Sequence, residues 1–179
     1  MQLLKKNLTL PPDFSEKKIG FHNVSADQII FMAEMFAKLL KLSDTLLLSG
    51  DVGSGKTFFA RGVIQEMMRN QSILVEEIPS PTFTIVQTYD LLCPPVWHLD
   101  CYRLSNANEI IELGLEDAFE TGICLIEWPN KMGAFKPQRN ISITFDQIET
   151  DYDNRAISIE LNGTGWQHIS DGLLKSLLG

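Results

Sequence analysis

The feature that most constrains this chain is the octapeptide at residues 50–57, which reads GDVGSGKT and fits the pattern G-x-x-x-x-G-K-[ST]. Glycines at this spacing let the backbone curl so that its N–H groups point at the phosphates of a nucleotide. Lys56 then reaches the β- and γ-phosphates, and the hydroxyl of Thr57 reaches Mg²⁺. The octapeptide predicts a phosphate-binding loop (P-loop) for a nucleoside triphosphate.

The segments on either side of the octapeptide favour a P-loop over a glycine-rich turn without a ligand. Residues 45–49 are a short apolar run typical of a buried strand, and residues 58–69 have helical spacing. A P-loop requires a strand, the loop and a helix in this order. The residues expected to contact the nucleotide here are Asp51, Gly53, Ser54, Gly55, Lys56, Thr57 and Phe58.

Composition favours one globular domain over residues 1–179, with 44% apolar and 21% charged residues. No apolar run is long enough to span a bilayer, and no continuous apolar segment follows the lysines near the start. The three cysteines, Cys93, Cys101 and Cys124, form no C-x-x-C pair, which argues against a disulfide framework or a zinc site. We therefore expect a cytoplasmic protein that does not enter a membrane.

The remaining pattern predicts an α/β fold. Ser25 is a candidate N-cap for a helix that runs to Leu42, and the preceding residues 1–24 predict an extended segment. Strands are predicted at 83–89, 96–99 and 123–126, a short helix at 109–119, a β-hairpin over 139–161 (strands 141–145 and 156–161 with an acidic loop at 146–154) and a C-terminal helix at 170–178. We expect a three-layer α/β/α fold of P-loop NTPase type, with a mostly parallel central sheet and flanking antiparallel strands.

Two of the predicted strands are each followed by a carboxylate, Asp100 and Glu127. In open α/β sheets the ligand lies beyond the carboxyl ends of the strands, so both side chains are candidates to face the nucleotide. A P-loop enzyme needs one carboxylate for Mg²⁺ and a second to orient the attacking water, and the residues alone do not rank the two. The histidines at positions 22, 98 and 168 are too scattered to suggest a metal cluster.

Three further residues each allow two interpretations. Thr82, in the segment Ser80-Pro81-Thr82, fits a switch that senses the γ-phosphate or a turn that leads into a strand. Trp128 fits a ring over the site or a core position, and a core position is the more common case. Arg103 fits an arginine finger, although a surface ion pair is the favoured interpretation.

The chain lacks the signatures of two other P-loop classes. GTPases read guanine with N-K-x-D, whereas residues 130–133 read NKMG and lack the carboxylate, so ATP is favoured. Small kinases close an arginine-rich lid over their acceptor, whereas the five arginines here are dispersed. A further alternative is a nucleotide-gated binding module in which hydrolysis is incidental.

Five short motifs follow the P-loop in order, up to Pro129. They are Arg61-Gly62, SPTFT at 80–84, HLDCYRL at 98–104, ELG at 112–114 and IEWP at 126–129. Together with the P-loop they resemble the TsaE family (formerly YjeE), bacterial ATPases required for threonylcarbamoyladenosine synthesis in tRNA. Ser54 and Phe58 replace the alanine and threonine often seen in the family, and neither alters the P-loop pattern.

The resemblance implies roles for several residues. Lys56 and Thr57 bind phosphate and Mg²⁺, Glu127 is the carboxylate near the metal, and Asp100 is required for hydrolysis. Thr82 and Trp128 belong to the functional surface that contacts the nucleotide. The activity implied is that of a Mg²⁺-dependent ATPase, weak alone and stimulated by partners, which is not itself the threonylcarbamoyl transferase.

The resemblance also implies a partner complex. TsaE-like proteins bind TsaD–TsaB, which transfers the threonylcarbamoyl group, and use ATP hydrolysis to sustain its turnover. The net charge of −8 suits this division of work, because a protein that held nucleic acid alone would be expected to carry a basic face. We therefore expect contact with tRNA only through the partner proteins.

Overall fold

The computed structural model describes residues 18–106 and 109–178, which form a seven-stranded sheet with helices on both faces. The strands are β1 (Lys18–Val24), β2 (Thr45–Ser49), β3 (Val86–Tyr89), β4 (Val96–Asp100), β5 (Ile123–Glu127), β6 (Asn140–Ile148) and β7 (Asp151–Asn162). The helices are α1 (Ala26–Leu39), α2 (Lys56–Asn70), α3 (Glu109–Glu112), α4 (Leu115–Thr121) and α5 (Gln167–Leu178), with a 3-10 segment at Pro129–Phe135. No helix within these ranges is both long and apolar enough to cross a membrane.

The sheet has a parallel centre and antiparallel flanks. The strand order is β1-β7-β6-β2-β5-β4-β3. The four central strands β6, β2, β5 and β4 are mutually parallel, whereas β3 pairs antiparallel with β4, and β7 pairs antiparallel with both β6 and β1. This arrangement confirms the predicted α/β fold with flanking antiparallel strands.

Alternate residues of β2 face the two helical layers, as expected for a strand buried on both sides. Leu46 and Leu48 pack in the larger core with helices α1, α2 and α5, whereas Leu47 packs in a second core with α3, α4 and the 3-10 segment. All three leucines are fully buried. The three-layer α/β/α architecture therefore follows from one continuous apolar run in the middle strand.

Aromatic rings fix the helix that follows the P-loop. Phe59 in the first turns of α2 lies between Phe36 of α1, at a ring-centroid distance of 5.7 Å, and Phe145 of β6, at 5.6 Å. Such tilted and edge-on pairs each contribute about 0.5–1.5 kcal/mol beyond their burial. The start of α2 is therefore anchored to both a neighbouring helix and the sheet.

The predicted first helix is confirmed at its start and is shorter at its end. Ser25 is the N-cap, and its hydroxyl accepts from the N–H of Gln28 while the Gln28 side chain accepts from the N–H of Ser25. This reciprocal capping box satisfies two backbone donors at the helix start. The helix ends at Leu39 rather than at Leu42, because Leu40 adopts extended backbone angles.

Two predicted elements between the P-loop and β5 are wrong in extent. The strand predicted at 83–89 begins only at Val86, because a turn closes before it, with the Ile85 N–H donating to the Pro81 carbonyl and Ile85 at φ 66°. The helix predicted at 109–119 is divided into α3 and α4, because Gly114 adopts φ 68° between them.

The strands of the C-terminal hairpin are longer than predicted. Most of the acidic segment predicted as a loop at 146–154 belongs to β6 and β7, because backbone pairing continues through Gln147 with Arg155 and Ile148 with Asp151. The C-terminal helix, predicted at 170–178, begins at Gln167. Of the extended segment predicted at 1–24, residues 18–24 form edge strand β1, and residues 1–17 lie outside the described part of the chain.

Candidate nucleotide-binding site

The P-loop connects the end of β2 to the start of α2. Gly50 adopts φ 135°, and a Cβ at this position would lie 2.3 Å from the carbonyl oxygen of Phe145 on β6, so a side chain does not fit. Gly55 is the N-cap of α2 at φ 116°, and no side chain caps this end of the helix. The first N–H groups of α2 are therefore left to an anion, which the helix dipole also favours.

The side chain of Lys56 is folded back into the loop. Its Nζ donates to the carbonyl oxygens of Gly50 and Asp51, at 2.8 Å each, and lies 4.1 Å from the ring centroid of Trp128. Burial lowers the pKa of Lys56, and the negative charges of Glu127, Asp100 and Asp51 act in the opposite direction. An ammonium held mainly by neutral carbonyls fits a phosphate ligand, because an anion is a stronger partner than either carbonyl.

Thr57 and Glu127 place a hydroxyl and a carboxylate oxygen next to each other beside the P-loop. The Thr57 hydroxyl donates to Glu127 Oε2 at 2.8 Å, and the Glu127 side chain is buried at the end of β5. Glu127 Oε1 lies 2.9 Å from Nε2 of the fully buried His98. With Glu127 ionised, Nε2 must carry the proton, since a carboxylate only accepts. A hydroxyl and a carboxylate at this separation fit Mg²⁺, which prefers hard oxygen ligands.

Asp100 lies beside Glu127 on the neighbouring strand, as its register partner in the β4–β5 pair. Its Oδ2 accepts from the Thr82 hydroxyl at 2.6 Å, and its Oδ1 accepts from the N–H of Tyr102 at 2.9 Å. The Thr82 hydroxyl is also 2.8 Å from that of Ser80. Residues 81–84 form a turn, and the Thr82 hydroxyl connects this turn to the carboxylate at the end of β4.

Aromatic side chains cover the outer side of this site. Trp128 is half-buried, adopts φ 58°, packs partly against the smaller core and lies 4.9 Å from the ring of Tyr102. Trp128 also contacts Lys56 of the P-loop. It therefore has both positions considered for it from the sequence, one against the core and one beside the site. The guanidinium of Arg103 lies 5.0 Å from the ring of the exposed Phe83. None of the ion pairs in residues 18–106 and 109–178 includes Arg103, so the favoured ion-pair interpretation is wrong there.

Most of the residues proposed from the sequence form one connected group at the carboxyl ends of the parallel strands. Hydrogen bonds, ring contacts or strand pairing join Lys56, Thr57, Thr82, Asp100, Glu127 and Trp128. The Ser54 hydroxyl is buried without a hydrogen-bond partner, while the Asp51 and Gly53 residues are exposed. Phe58 is 37% exposed in the first turn of α2, and no hydrogen bond or ring contact in the described ranges joins it to this group.

Two residues near the site are not identified by the sequence reasoning. His98 carries no metal-cluster signal, but its position two residues before Asp100 on β4 puts both side chains on the same face of the sheet, and this alternation could have pointed to it. Arg155 of β7 donates to the P-loop carbonyls of Ser54 and Gly53, at 3.0 and 3.3 Å. Arg155 is separated from Ser54 by 101 positions and from Gly53 by 102 positions in the sequence. No local sequence pattern predicts a contact over such a separation.

The fold and the site define an α/β protein of the P-loop NTPase type. A family model described as "Threonylcarbamoyl adenosine biosynthesis protein TsaE" matches residues 24–157, which is most of the chain. The chain belongs to the TsaE family, and the resemblance drawn from its motifs is confirmed.

Individual relatives agree with this family. The chain is 41% identical over 97 residues to a protein of Rickettsia felis named "tRNA threonylcarbamoyladenosine biosynthesis protein TsaE", and the match covers 54% of each chain, about half the relative's length. A protein of the same name from Haemophilus influenzae is 34% identical over 154 residues, which cover 85% of each chain. The crystal structure of Bacillus subtilis YdiB superimposes with a TM-score of 0.68 at 28% identity, covering 90% of this chain and 95% of that one.

Proposed function

We propose that this chain binds ATP with Mg²⁺ and hydrolyses it as an accessory subunit for threonylcarbamoyladenosine modification of tRNA. The observation that carries the proposal is the hydrogen bond from the Thr57 hydroxyl to Glu127, beside Lys56 on a P-loop. Membership of the TsaE family supports the pathway, since the relatives are named for threonylcarbamoyladenosine biosynthesis. The P-loop and the paired carboxylates support the reaction.

Each side chain of the site has a proposed part in hydrolysis. Lys56 leaves the carbonyls of its own loop and binds the β- and γ-phosphates, while the N–H groups at the start of α2 bind phosphate oxygens. Thr57 and Glu127 would hold Mg²⁺, which when bound neutralises charge on the phosphate oxygens. Asp100 orients the attacking water and accepts its proton, because it is the second buried carboxylate at this edge of the sheet.

The partner assignment is part of the same proposal. The chain acts with the TsaD–TsaB complex, which transfers the threonylcarbamoyl group, and contact with tRNA runs through that complex. A net charge of −8 supports this, because direct binding of an RNA backbone relies on basic side chains. The absence of a carboxylate in residues 130–133 supports ATP over GTP.

The deciding experiment measures ATP hydrolysis by the protein alone and after addition of purified TsaD–TsaB, with GTP as the control nucleotide. We expect a low rate alone and strong stimulation that is specific to ATP. A rate that ignores the partner complex, or a preference for GTP, would contradict the proposed function and leave only a P-loop nucleotide site.

A second candidate function is a nucleotide-gated binding module, in which ATP orders a surface for the partner and hydrolysis is incidental. The observation that favours it is the hydrogen bond between Thr82 and Asp100, which ties a surface turn to the candidate site. The next residue in that turn, Phe83, is 83% exposed and so is available to a partner. Complex formation measured with ATP, with ADP and without nucleotide separates the two candidates. Equal binding in all three conditions would exclude gating.

A further inference from the structure

Arg155 binds the P-loop through backbone carbonyl oxygens. It lies on β7, and its Nε donates to the Ser54 carbonyl at 3.0 Å while its Nη2 donates to the Gly53 carbonyl at 3.3 Å. Its Nη1 donates to the carbonyls of Tyr152 and Asn154 within its own strand, at 2.7 and 2.9 Å. One guanidinium therefore connects the C-terminal hairpin to the middle of the P-loop.

These contacts fix the orientation of loop peptides. In a planar trans peptide the N–H points away from the carbonyl of the preceding residue. Because the Ser54 carbonyl is held towards Arg155, the N–H of Gly55 points to the opposite side of that peptide. The N–H of the other braced peptide, that of Ser54, donates to the Asp51 carbonyl at 3.1 Å and closes a turn within the loop. Arg155 therefore favours an inward N–H at Gly55, as in an anion-binding nest, and supports the turn beside it.

Arg155 also differs from Lys56 in what ligand binding does to it. Lys56 braces Gly50 and Asp51 in the first half of the loop, and a phosphate that recruits its ammonium removes this brace. Arg155 braces Gly53 and Ser54, and its carbonyl acceptors do not compete with an anion. A phosphate in the loop would therefore leave the contacts of Arg155 in place, while Lys56 would exchange its own.

The charge of Arg155 adds to this effect. None of the ion pairs in residues 18–106 and 109–178 includes Arg155, and its four acceptors are all neutral carbonyls. The carboxylate of Asp151 interacts electrostatically with Arg155 but accepts no hydrogen bond from it. The guanidinium charge is thus only partly offset, and it lies on the carbonyl side of the Ser54–Gly55 peptide. It therefore favours an anion in the loop without touching it.

We propose that Arg155 is a positioning residue for the P-loop, which preorganises the Ser54–Gly55 peptide for phosphate and couples the β6–β7 hairpin to the nucleotide site. The inference deepens the proposed function and rests on it in one respect, namely that the loop binds the phosphates of ATP. Because both ATP and ADP carry the α- and β-phosphates, the effect of Arg155 applies to both nucleotides alike.

The test compares Arg155→Gln and Arg155→Lys with the control variant Arg69→Gln. Arg69 forms an ion pair with Glu66 at the end of α2 that is distant from the P-loop. Hydrogen exchange of the amides of residues 53–55 is measured in the nucleotide-free proteins, and the affinities for ATP and ADP are measured by calorimetry. Arg155→Gln is expected to speed exchange selectively in the loop and to weaken both nucleotides about tenfold, which corresponds to about 1.4 kcal/mol.

The Arg155→Lys variant separates charge from geometry. A lysine retains the charge but lacks the planar fork that reaches two carbonyls, so we expect intermediate values. The inference is overturned if loop exchange and affinity match the Arg69→Gln control. It is also overturned if exchange rises equally across β6 and β7, because Arg155 then supports only the hairpin. If the unsubstituted protein binds no ATP, the proposed function fails, while loop exchange still decides whether Arg155 orders the loop.

Discussion

At the scale of single residues, Lys56 in the P-loop and Glu127 at the end of β5 carry opposite charges in the candidate site. Lys56 supplies the one positive charge of residues 50–57, and its pKa is lowered because it is buried. Glu127 supplies a buried negative charge, held by Thr57 on one oxygen and by His98 on the other. Substitutions at these positions therefore test phosphate binding and metal binding separately.

Lys56→Ala is predicted to weaken ATP binding by about a hundredfold, because charge-assisted hydrogen bonds contribute about 1.5–3 kcal/mol each. The fold should persist, since the variant removes a buried ammonium whose partners are loop carbonyls. Nucleotide titration and thermal unfolding measure the two effects. The control is Lys131→Ala, which removes an exposed lysine in the 3-10 segment. Normal ATP hydrolysis by Lys56→Ala would show that the proposed site is wrong.

Glu127→Gln and Asp100→Asn are predicted to fail in different ways. Glu127→Gln keeps the shape of the side chain but lowers the charge offered to Mg²⁺, so the Mg²⁺ dependence of nucleotide affinity should be lost. Asp100→Asn should retain nucleotide binding and lose hydrolysis. Titrations with and without Mg²⁺ distinguish them. An unchanged metal response in Glu127→Gln would transfer the metal role to Asp100.

At the scale of elements, helices α1 and α2 approach closely at one glycine. A Cβ added at Gly62 of α2 would lie 2.9 Å from the Cβ of Ala33 on α1. This contact leaves no room for a side chain without separating the helices, and α2 carries the P-loop at its start. The helix pair is therefore a mechanical support of the site.

Gly62→Val is predicted to lower the free energy of unfolding by about 1–3 kcal/mol, the usual effect of overpacking. Urea unfolding measures it. The control is Gly20→Ala on edge strand β1, where an added Cβ meets no atom within 4 Å and the change should stay below about 1 kcal/mol. Equal stability of the two variants would show that α1 and α2 can move apart freely.

Elements with a local signal could be predicted from the sequence, and those set by distant contacts could not. The strand, loop and helix around residues 50–57 follow from apolar runs and glycines, and the start of α1 follows from Ser25. The late start of β3 depends on the left-handed conformation of Ile85, and the length of β6 and β7 depends on cross-strand pairing through polar residues. Neither leaves a periodic pattern.

The candidate site divides in the same way. Asp100 and Glu127 could be proposed because each ends an apolar run, but their ranking depends on partners that the sequence does not display. The structure bonds Glu127 to Thr57 and Asp100 to Thr82. Arg155 could not be proposed at all, since its contact with the loop joins residues that are far apart in the sequence.

At the scale of the whole molecule, the two buried cysteines make stability depend on alkaline pH. Burial raises the pKa of Cys101 and of Cys124 to about 12, from 9.0. The unfolded chain therefore releases these protons at lower pH than the folded one. Their contribution to stability is complete below pH 9.0 and is lost as the pH rises from there towards about 12.

Cys124→Ala is predicted to flatten the fall of unfolding free energy above pH 9, by up to about 1.4 kcal/mol per pH unit. Lys56, whose pKa is lowered in the fold, acts in the opposite direction in both proteins, so the comparison between variants removes its effect. Urea unfolding at several pH values between 8 and 10.5 measures the slope. Cys93→Ala is the control, because Cys93 is exposed. A slope that is identical in all three proteins would contradict the prediction.

The pairing of β4 with β5 has a consequence for how this protein acquires and loses its function. Asp100 and Glu127 lie side by side only because Val96 aligns with Ile123 at the other end of the strands. A slip of β4 by one residue would turn Asp100 into the smaller core and bring Leu99 to the site, since successive side chains point to opposite faces. A misaligned molecule could keep its helices and its compactness and still lack the paired carboxylates of the site. A measurement of helix content alone would not detect this misalignment, whereas an assay of the proposed nucleotide site would.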